Sequence, residues 1–205
     1  MSISKTLIFA TGNSNKVKEA REIMAGTGYG LLSLKDIGVE SNPVEDGKTY
    51  TENAFIKARA VAAALPAEYA DCAVISDDSG FEVDWLNKEP GIYSSRFMGE
   101  DTPYSIKNRA ILDKLKDVPF EQRTARFCCA FACVFPDGKE LDTFATYEGH
   151  VAYEAKGTNG FGYDPIFLVP GYNMTDAELP VEVKNTIGHR AKALVMLREK
   201  LENIE

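Results

Sequence analysis

Histidine occurs only twice and tryptophan once in the 205 residues, and the four cysteines form no C-x-x-C pair. This scarcity excludes Cys-rich and His-rich metal centres. No G-x-S-x-G segment is present, and His150 reads as structural, so a serine or cysteine nucleophile lacks the partners that activate it. Three of the cysteines, Cys128, Cys129 and Cys133, lie in one apolar run and, with Cys72, read as buried free thiols. Positive charge is also short: 23 Lys and Arg against 31 Asp and Glu leave a net charge of −8. That balance excludes a broad nucleic-acid-binding face but leaves room for a local lysine pocket around a small phosphate ligand. No run of about 20 apolar residues exists, and the N-terminus lacks an apolar core followed by a small-residue cleavage site. The expectation is a cytoplasmic protein with no membrane partner. With 44% apolar residues, a chain of this length buries roughly 70% of its unfolded surface, which predicts a single domain over 1–205.

What is present centres on Ser76-Asp77-Asp78-Ser79-Gly80. The apolar run Ala73-Val74-Ile75 reads as a buried strand ending in two carboxylates. Because a strand sends alternate side chains to opposite faces, Asp77 and Asp78 are expected to serve different partners. Buried carboxylates require hydrogen bonds, cations or a metal, so the segment is a candidate Mg²⁺ site or general base. Gly80 predicts a tight turn, with a further strand over 81–85. As a bare pattern, Asp-Asp-Ser-Gly is also an ordinary turn signal.

Elsewhere short apolar runs and helically spaced segments follow one another along the chain. Thr6 to Ala10 predicts a strand, and Val17, Ala20, Ile23 and Met24 predict a helix. Between them, Thr11-Gly12-Asn13-Ser14-Asn15-Lys16 joins strand to helix, the place where backbone N–H groups and the helix dipole hold an anion. The same residues also fit a capped helix start, and the spacing is not that of a P-loop. Leu31 to Leu34 is a second strand. Thr49 to Glu52 fits a capping box for a helix running to Pro66, with Lys57 and Arg59 as candidate phosphate contacts or solvated charges and Glu45 as a second metal carboxylate. Thr102-Pro103 predicts a helix start with Pro at its first position. Ala125 to Phe135 and Leu141 to Tyr147 predict a hairpin turned at Pro136-Asp137-Gly138-Lys139. The Gly-rich, aromatic loop Gly157 to Pro165 suits a planar ligand, and a C-terminal helix is expected from Arg190 to Leu201.

Six ordered segments carry a resemblance over nearly the whole chain: F-A-T-G-N-S-N-K at Phe9 to Lys16, E-N-A-F-I-K-A at Glu52 to Ala58, S-D-D-S-G at Ser76 to Gly80, P-G-I-Y-S-S-R at Pro90 to Arg96, G-F-G-Y-D-P-I-F at Gly160 to Phe167, and H-R at His189 and Arg190. With these the chain resembles the Ham1-like, or inosine/xanthosine triphosphate pyrophosphatase, family. Gly188 departs from the serine that many members have before His-Arg. The resemblance implies a homodimeric α/β fold with a long mixed β-sheet flanked by helices, in two lobes with a central nucleotide cleft. It also implies Mg²⁺-dependent hydrolysis of ITP, dITP or XTP to the monophosphate and pyrophosphate. Within that implication Thr11, Gly12, Asn13, Ser14, Asn15 and Lys16 hold the phosphates. Asp78 is the catalytic base and a metal carboxylate, with Glu45 the further metal candidate. Ser79, Lys184, His189 and Arg190 contact the nucleotide, Phe161 stacks on the base, and Gly162, Tyr163 and Asp164 complete its pocket. An aspartyl-phosphate phosphohydrolase and a non-enzymatic nucleotide sensor are the alternatives, separable by whether the product is pyrophosphate, phosphate or nothing.

Overall fold

A computed structural model describes residues 5–203. Its strands are β1 (Thr6–Phe9), β2 (Gly30–Ser33), β3 (Ala73–Val83), β4 (Pro90–Gly91), β5 (Thr124–Val134), β6 (Glu140–Val151), β7 (Phe167–Val169) and β8 (Met174–Thr175). The helices are α1 (Ser14–Met24), α2 (Tyr50–Ala62), α3 (Tyr104–Lys114), α4 (Val181–Ile187) and α5 (His189–Glu202). The eight strands form one mixed sheet in the order β2-β1-β3-β5-β6-β7-β8, with β4 paired to β3. β1 runs parallel to β2 and β3, whereas β3–β4, β6–β7 and β7–β8 are antiparallel.

The chain divides into two compact units. The first comprises the chain up to Asp78, Cys129–Ala145 and the stretch from Arg190 on; the second comprises Ser79–Cys128 and Thr146–His189. In the first unit the period-2 alternation of the strands sorts the core into two layers. Leu7, Phe9, Ala73 and Ile75 pack with Val17 and Ala20 of α1 and Leu194 and Leu197 of α5. Ile8, Ala10 and Val74 pack on the opposite face with Ala54, Ala58 and Val61 of α2. Both faces of these strands are therefore covered by helices, which is why they read as continuous apolar runs. The second unit is built on an aromatic cluster, where Phe81 lies against Phe127, Tyr163 and Phe167.

Several expectations meet local physics directly. Asn13 caps α1 by accepting the backbone N–H groups of Asn15 and Lys16. Thr49 caps α2 through the Glu52 N–H, and the Glu52 carboxylate reaches back to the Lys48 N–H, one residue before the donor that a standard capping box uses. The hairpin forms between β5 and β6, closed by Gly138 N–H to Phe135 O.

Other expectations are corrected. No turn occurs at Gly80: β3 continues unbroken to Val83, because Phe81 pairs with Gly91 and its N–H donates to Ser94 Oγ at 2.8 Å. Helix α2 stops at Ala62 instead of running to Pro66, and Pro103 sits just outside α3, not at its first position. The cysteines are all buried and free. Burial pushes the Cys128 and Cys133 thiols up to about 12 and that of Cys129 well above its ordinary value, so none is a ready thiolate. Among the described residues, no helix is long and apolar enough to cross a membrane.

Candidate active site

The two-layer sorting of the first unit decides where the paired carboxylates go. Asp77 continues the Ala73, Ile75 series and emerges on the α1 and α5 face. Asp78 continues from Val74 and Ser76 onto the α2 face. Each carboxylate consequently meets a different set of charges.

Asp77 is 1% exposed. Lys16 Nζ lies 3.0 Å from its Oδ1 and 3.0 Å from its Oδ2, and Arg190 Nε donates to Oδ2 at 3.1 Å. The Arg190 guanidinium also closes on Glu19 through Nη1. Two cations and two carboxylates thus balance inside α1, β3 and α5. Burial alone would raise the Asp77 carboxyl, but Lys16, Arg190 and Lys57 overcome it and hold the group far below the usual carboxylate range. Arg190 is itself 1% exposed, and its ionised form is stabilised by Glu19 and Asp77 against the cost of burial.

Asp78 has the opposite balance. Burial raises its carboxyl; Lys57 and Lys16 pull it down, Glu45 pushes it up, and the net direction is upward. Asn53 Nδ2 donates to Asp78 Oδ2 at 3.1 Å, and Lys57 Nζ stands 3.5 Å from Oδ1. The same ammonium pairs with Glu45 Oε2 at 2.9 Å. Asn53 and Lys57 are four residues apart on α2 and so share one face. Asn53 also accepts the Gly47 N–H, which ties the Glu45 loop to the helix. Arg59, two residues beyond Lys57, points elsewhere: its guanidinium forks onto Glu140 at 2.7 Å and covers the Phe55 ring. It is the solvated charge of the two.

An environment that depresses one carboxylate and raises its neighbour separates their chemistry. Asp77 is a permanent anion that holds cations, while Asp78 has the raised proton affinity of a general base. Glu45 and Asp78 present oxygen donors around a single cationic position, a donor set that suits a hard divalent ion completed by water and phosphate oxygens. Among the described residues no group of three or more His, Cys, Asp and Glu gathers as a metal cluster. The loop from Thr11 to Lys16 keeps Gly12 to Asn15 exposed and Thr11 and Lys16 half-buried at the α1 N-terminus.

In the second unit, Ser79 is half-buried, immediately after Asp78 on β3. The glycine-rich loop brings Phe161 and Asp164 to Lys184 of α4. Phe161 N–H donates to Asp164 Oδ2 at 2.7 Å, Lys184 Nζ closes on the same oxygen, and the Phe161 ring lies 5.6 Å from that ammonium. Gly160 has φ +72°, and a Cβ there would stand 2.1 Å from Asp164 Oδ2, so glycine is required. Asn108 Nδ2 anchors the loop through Gly162 O at 3.1 Å. A pocket of about 580 Å³ opens beside Tyr104, Asn108, Phe161 and Gly162. Tyr163 is core: its ring stacks on Phe81 and its hydroxyl donates to Ser94 O at 2.8 Å. The His189 ring stacks on Phe127 at 4.8 Å, and His150 stacks on Phe120 at 4.6 Å.

The model of the Ham1 family matches residues 7–200 of this sequence. The chain belongs to the Ham1 family. Curated relatives named dITP/XTP pyrophosphatase include the protein of Exiguobacterium sibiricum, 45% identical over 95% of this chain and 96% of its own. That of Bacillus subtilis is 45% identical over 98% and 100%. Among solved structures, the Staphylococcus aureus Ham1 protein superposes with a TM-score of 0.83 at 36% identity, covering 98% of this chain and 100% of its own.

Within the Ham1 family framework, three supporting residues escape sequence reasoning. Asn53 sits inside the Glu52 to Ala58 segment, and its i, i+4 relation to Lys57 was the available signal. Glu19 stands one turn beyond Lys16 on α1. Asp176 carries no signal at all. Gly188 is a close approach: a Cβ there would lie 2.8 Å from the backbone oxygen of Lys184, so the glycine lets α4 end tightly.

Proposed function

We propose that this chain hydrolyses deaminated purine nucleoside triphosphates (ITP, dITP and XTP) to the monophosphate and pyrophosphate, as a cytoplasmic homodimeric enzyme using Mg²⁺. The observation that carries the reading is the split pair, Asp77 locked as an anion beside Lys16 and Arg190, Asp78 raised in proton affinity beside Asn53 and Lys57. The dITP/XTP pyrophosphatase relatives, alike over nearly their whole length, supply the substrate class.

In this reading the exposed loop Gly12 to Asn15 and Lys16 bind the triphosphate at the α1 N-terminus, where helix dipole and ammonium favour anions. Asp78 orients a water against the α-phosphorus and takes its proton as the oxygen bonds. The bond to the β-phosphate bridge breaks, and pyrophosphate leaves with its charge balanced by Lys16 and Lys57. Mg²⁺ bound by Asp78 and Glu45 would supply neutralisation of phosphate oxygens and a more acidic water. Phe161 stacks on the purine, while Asp164 and Lys184 meet its polar edge. His189, Ser79 and the backbone at Gly162 and Tyr163 complete the contacts. Arg190, buried against Asp77 and Glu19, serves by holding Asp77 in place.

The direct test is product identity with ITP, XTP, GTP and ATP as substrates. Pyrophosphate release from ITP and XTP is expected; inorganic phosphate as the first product would support a phosphohydrolase, and no turnover a sensor. Lys16→Ala is expected to raise KM for the triphosphate roughly 10- to 100-fold, the worth of a charge-assisted hydrogen bond, and to weaken monophosphate binding less. Equal weakening of both ligands would place Lys16 away from the β- and γ-phosphates.

A further inference from the structure

Lys184 is shared between two buried carboxylates. Besides its contact with Asp164, its Nζ lies 3.0 Å from Asp176 Oδ2, and Asp176 is 1% exposed. Asp176 is held rigidly: its N–H donates to Phe167 O at 2.8 Å, and the following N–H, of Ala177, donates to Asp164 O. The Ala177 carbonyl in turn accepts from Thr158 and Asn159 at the start of the Gly-rich loop. The loop, Asp164 and Asp176 are therefore one hydrogen-bonded assembly. Among the described residues, ionisable groups facing the two carboxylates include Lys184 on α4, Tyr104 on α3 and Tyr147 on β6. Burial, then the carboxylates themselves, raise both tyrosines, so they remain neutral at physiological pH. With both aspartates ionised, the assembly carries two negative charges against one positive. The Asp164 carboxyl is raised accordingly, by burial first and by Asp176 next among the effects in that direction, with Lys184 opposing.

We propose that Asp176 is a specificity-determining residue, because its second carboxylate on Lys184 gives the Phe161 to Asp164 loop surplus negative charge that favours a neutral hypoxanthine base and penalises ionised xanthine. The proposal rests on the base lying against that loop, as in the function proposed above. Xanthine, whose N3 anion is delocalised onto its C2 and C6 carbonyl oxygens, sheds its N3 proton near neutral pH. Hypoxanthine keeps its N1–H well into the alkaline range. The penalty on xanthine thus grows as pH rises, both because the base ionises and because Asp164 does.

The experiment compares wild type with Asp176→Asn, which keeps the shape and removes the charge. The kcat/KM ratio of XTP to ITP is measured from pH 6 to 8.5, alongside calorimetric binding of xanthosine and inosine monophosphates. The wild-type ratio is expected to fall with pH, and the fall is expected to be smaller by on the order of tenfold in Asp176→Asn. Superimposable ratio profiles would overturn the proposal, as would a parallel loss for both bases at every pH, the mark of a merely structural residue. If Asp176→Asn does not fold, a pH-independent ratio in wild type is enough to reject it. Monophosphate binding reads base preference without turnover, so absent hydrolysis would count against the enzymatic reading and not against Asp176.

Discussion

Asp78→Asn is expected to lower kcat by about 10²–10⁴ while leaving the melting temperature unchanged or higher. The loss follows from removing the positioned group that accepts the water proton. The stability effect follows from the direction of its shift. Burial raises the Asp78 carboxyl above its unfolded value near 4, so the folded state binds its proton more tightly than the unfolded chain does. Ionisation therefore costs stability as pH rises from the unfolded value through the folded one. Asparagine removes that charge, can still accept from Asn53, and leaves Lys57 paired with Glu45. Steady-state kinetics and thermal melts at pH 7 check both halves. A melting temperature several degrees below wild type would show that Asp78 is held for structure.

Asp77→Asn, one residue away, is expected to do the reverse in kind and to destabilise the protein by about 3–5 kcal/mol, as when one partner of a buried pair is removed. For a chain of this size that lowers the melting temperature by roughly 10 °C or more. Arg190, 2% exposed in its side chain, would lose one of its two buried carboxylate contacts and keep that to Glu19, and Lys16 would lose its anchor. The sign with pH is also set. The Asp77 carboxyl is held far below its ordinary value by Lys16 and Arg190 against the opposing effect of burial. Its contribution is fully present above the unfolded pKa near 4 and is lost as pH falls through the folded value. Urea unfolding at pH 7 should separate wild type from Asp77→Asn widely, and the gap should narrow below pH 4. A gap under 1 kcal/mol at pH 7 would show that the Lys16 and Arg190 contacts contribute nothing net.

Much of this arrangement was written locally in the chain. The alternation of β3 sends Asp77 and Asp78 to opposite faces whatever surrounds them. Thr49 with Glu52, Asn13 before α1, and Pro136-Asp137-Gly138 between two apolar runs are signals that act within four residues, so they can be read without tertiary knowledge. The six ordered segments likewise pointed to the Ham1 family, whose model matches residues 7–200. The local signals failed where packing outweighed propensity. Gly80 promised a turn, yet β3 runs straight through because Gly91 and Ser94 supply partners for Phe81. Helix α4 is a seven-residue stretch with β-branched residues, too short for a periodic signal, and it forms around the buried Lys184.

The sequence by itself determined which carboxylates are adjacent and that they must part. The tertiary structure alone decided which is the anchored anion and which has its proton affinity raised. Lys16 lies 61 residues from Asp77 in the chain, Arg190 lies 113 residues from it, and Asn53 lies 25 from Asp78. A carboxyl group's proton affinity depends on its burial and on the charges within a few ångströms of it, and those neighbours become neighbours only when α1 and α5 close over one face of the sheet and α2 over the other.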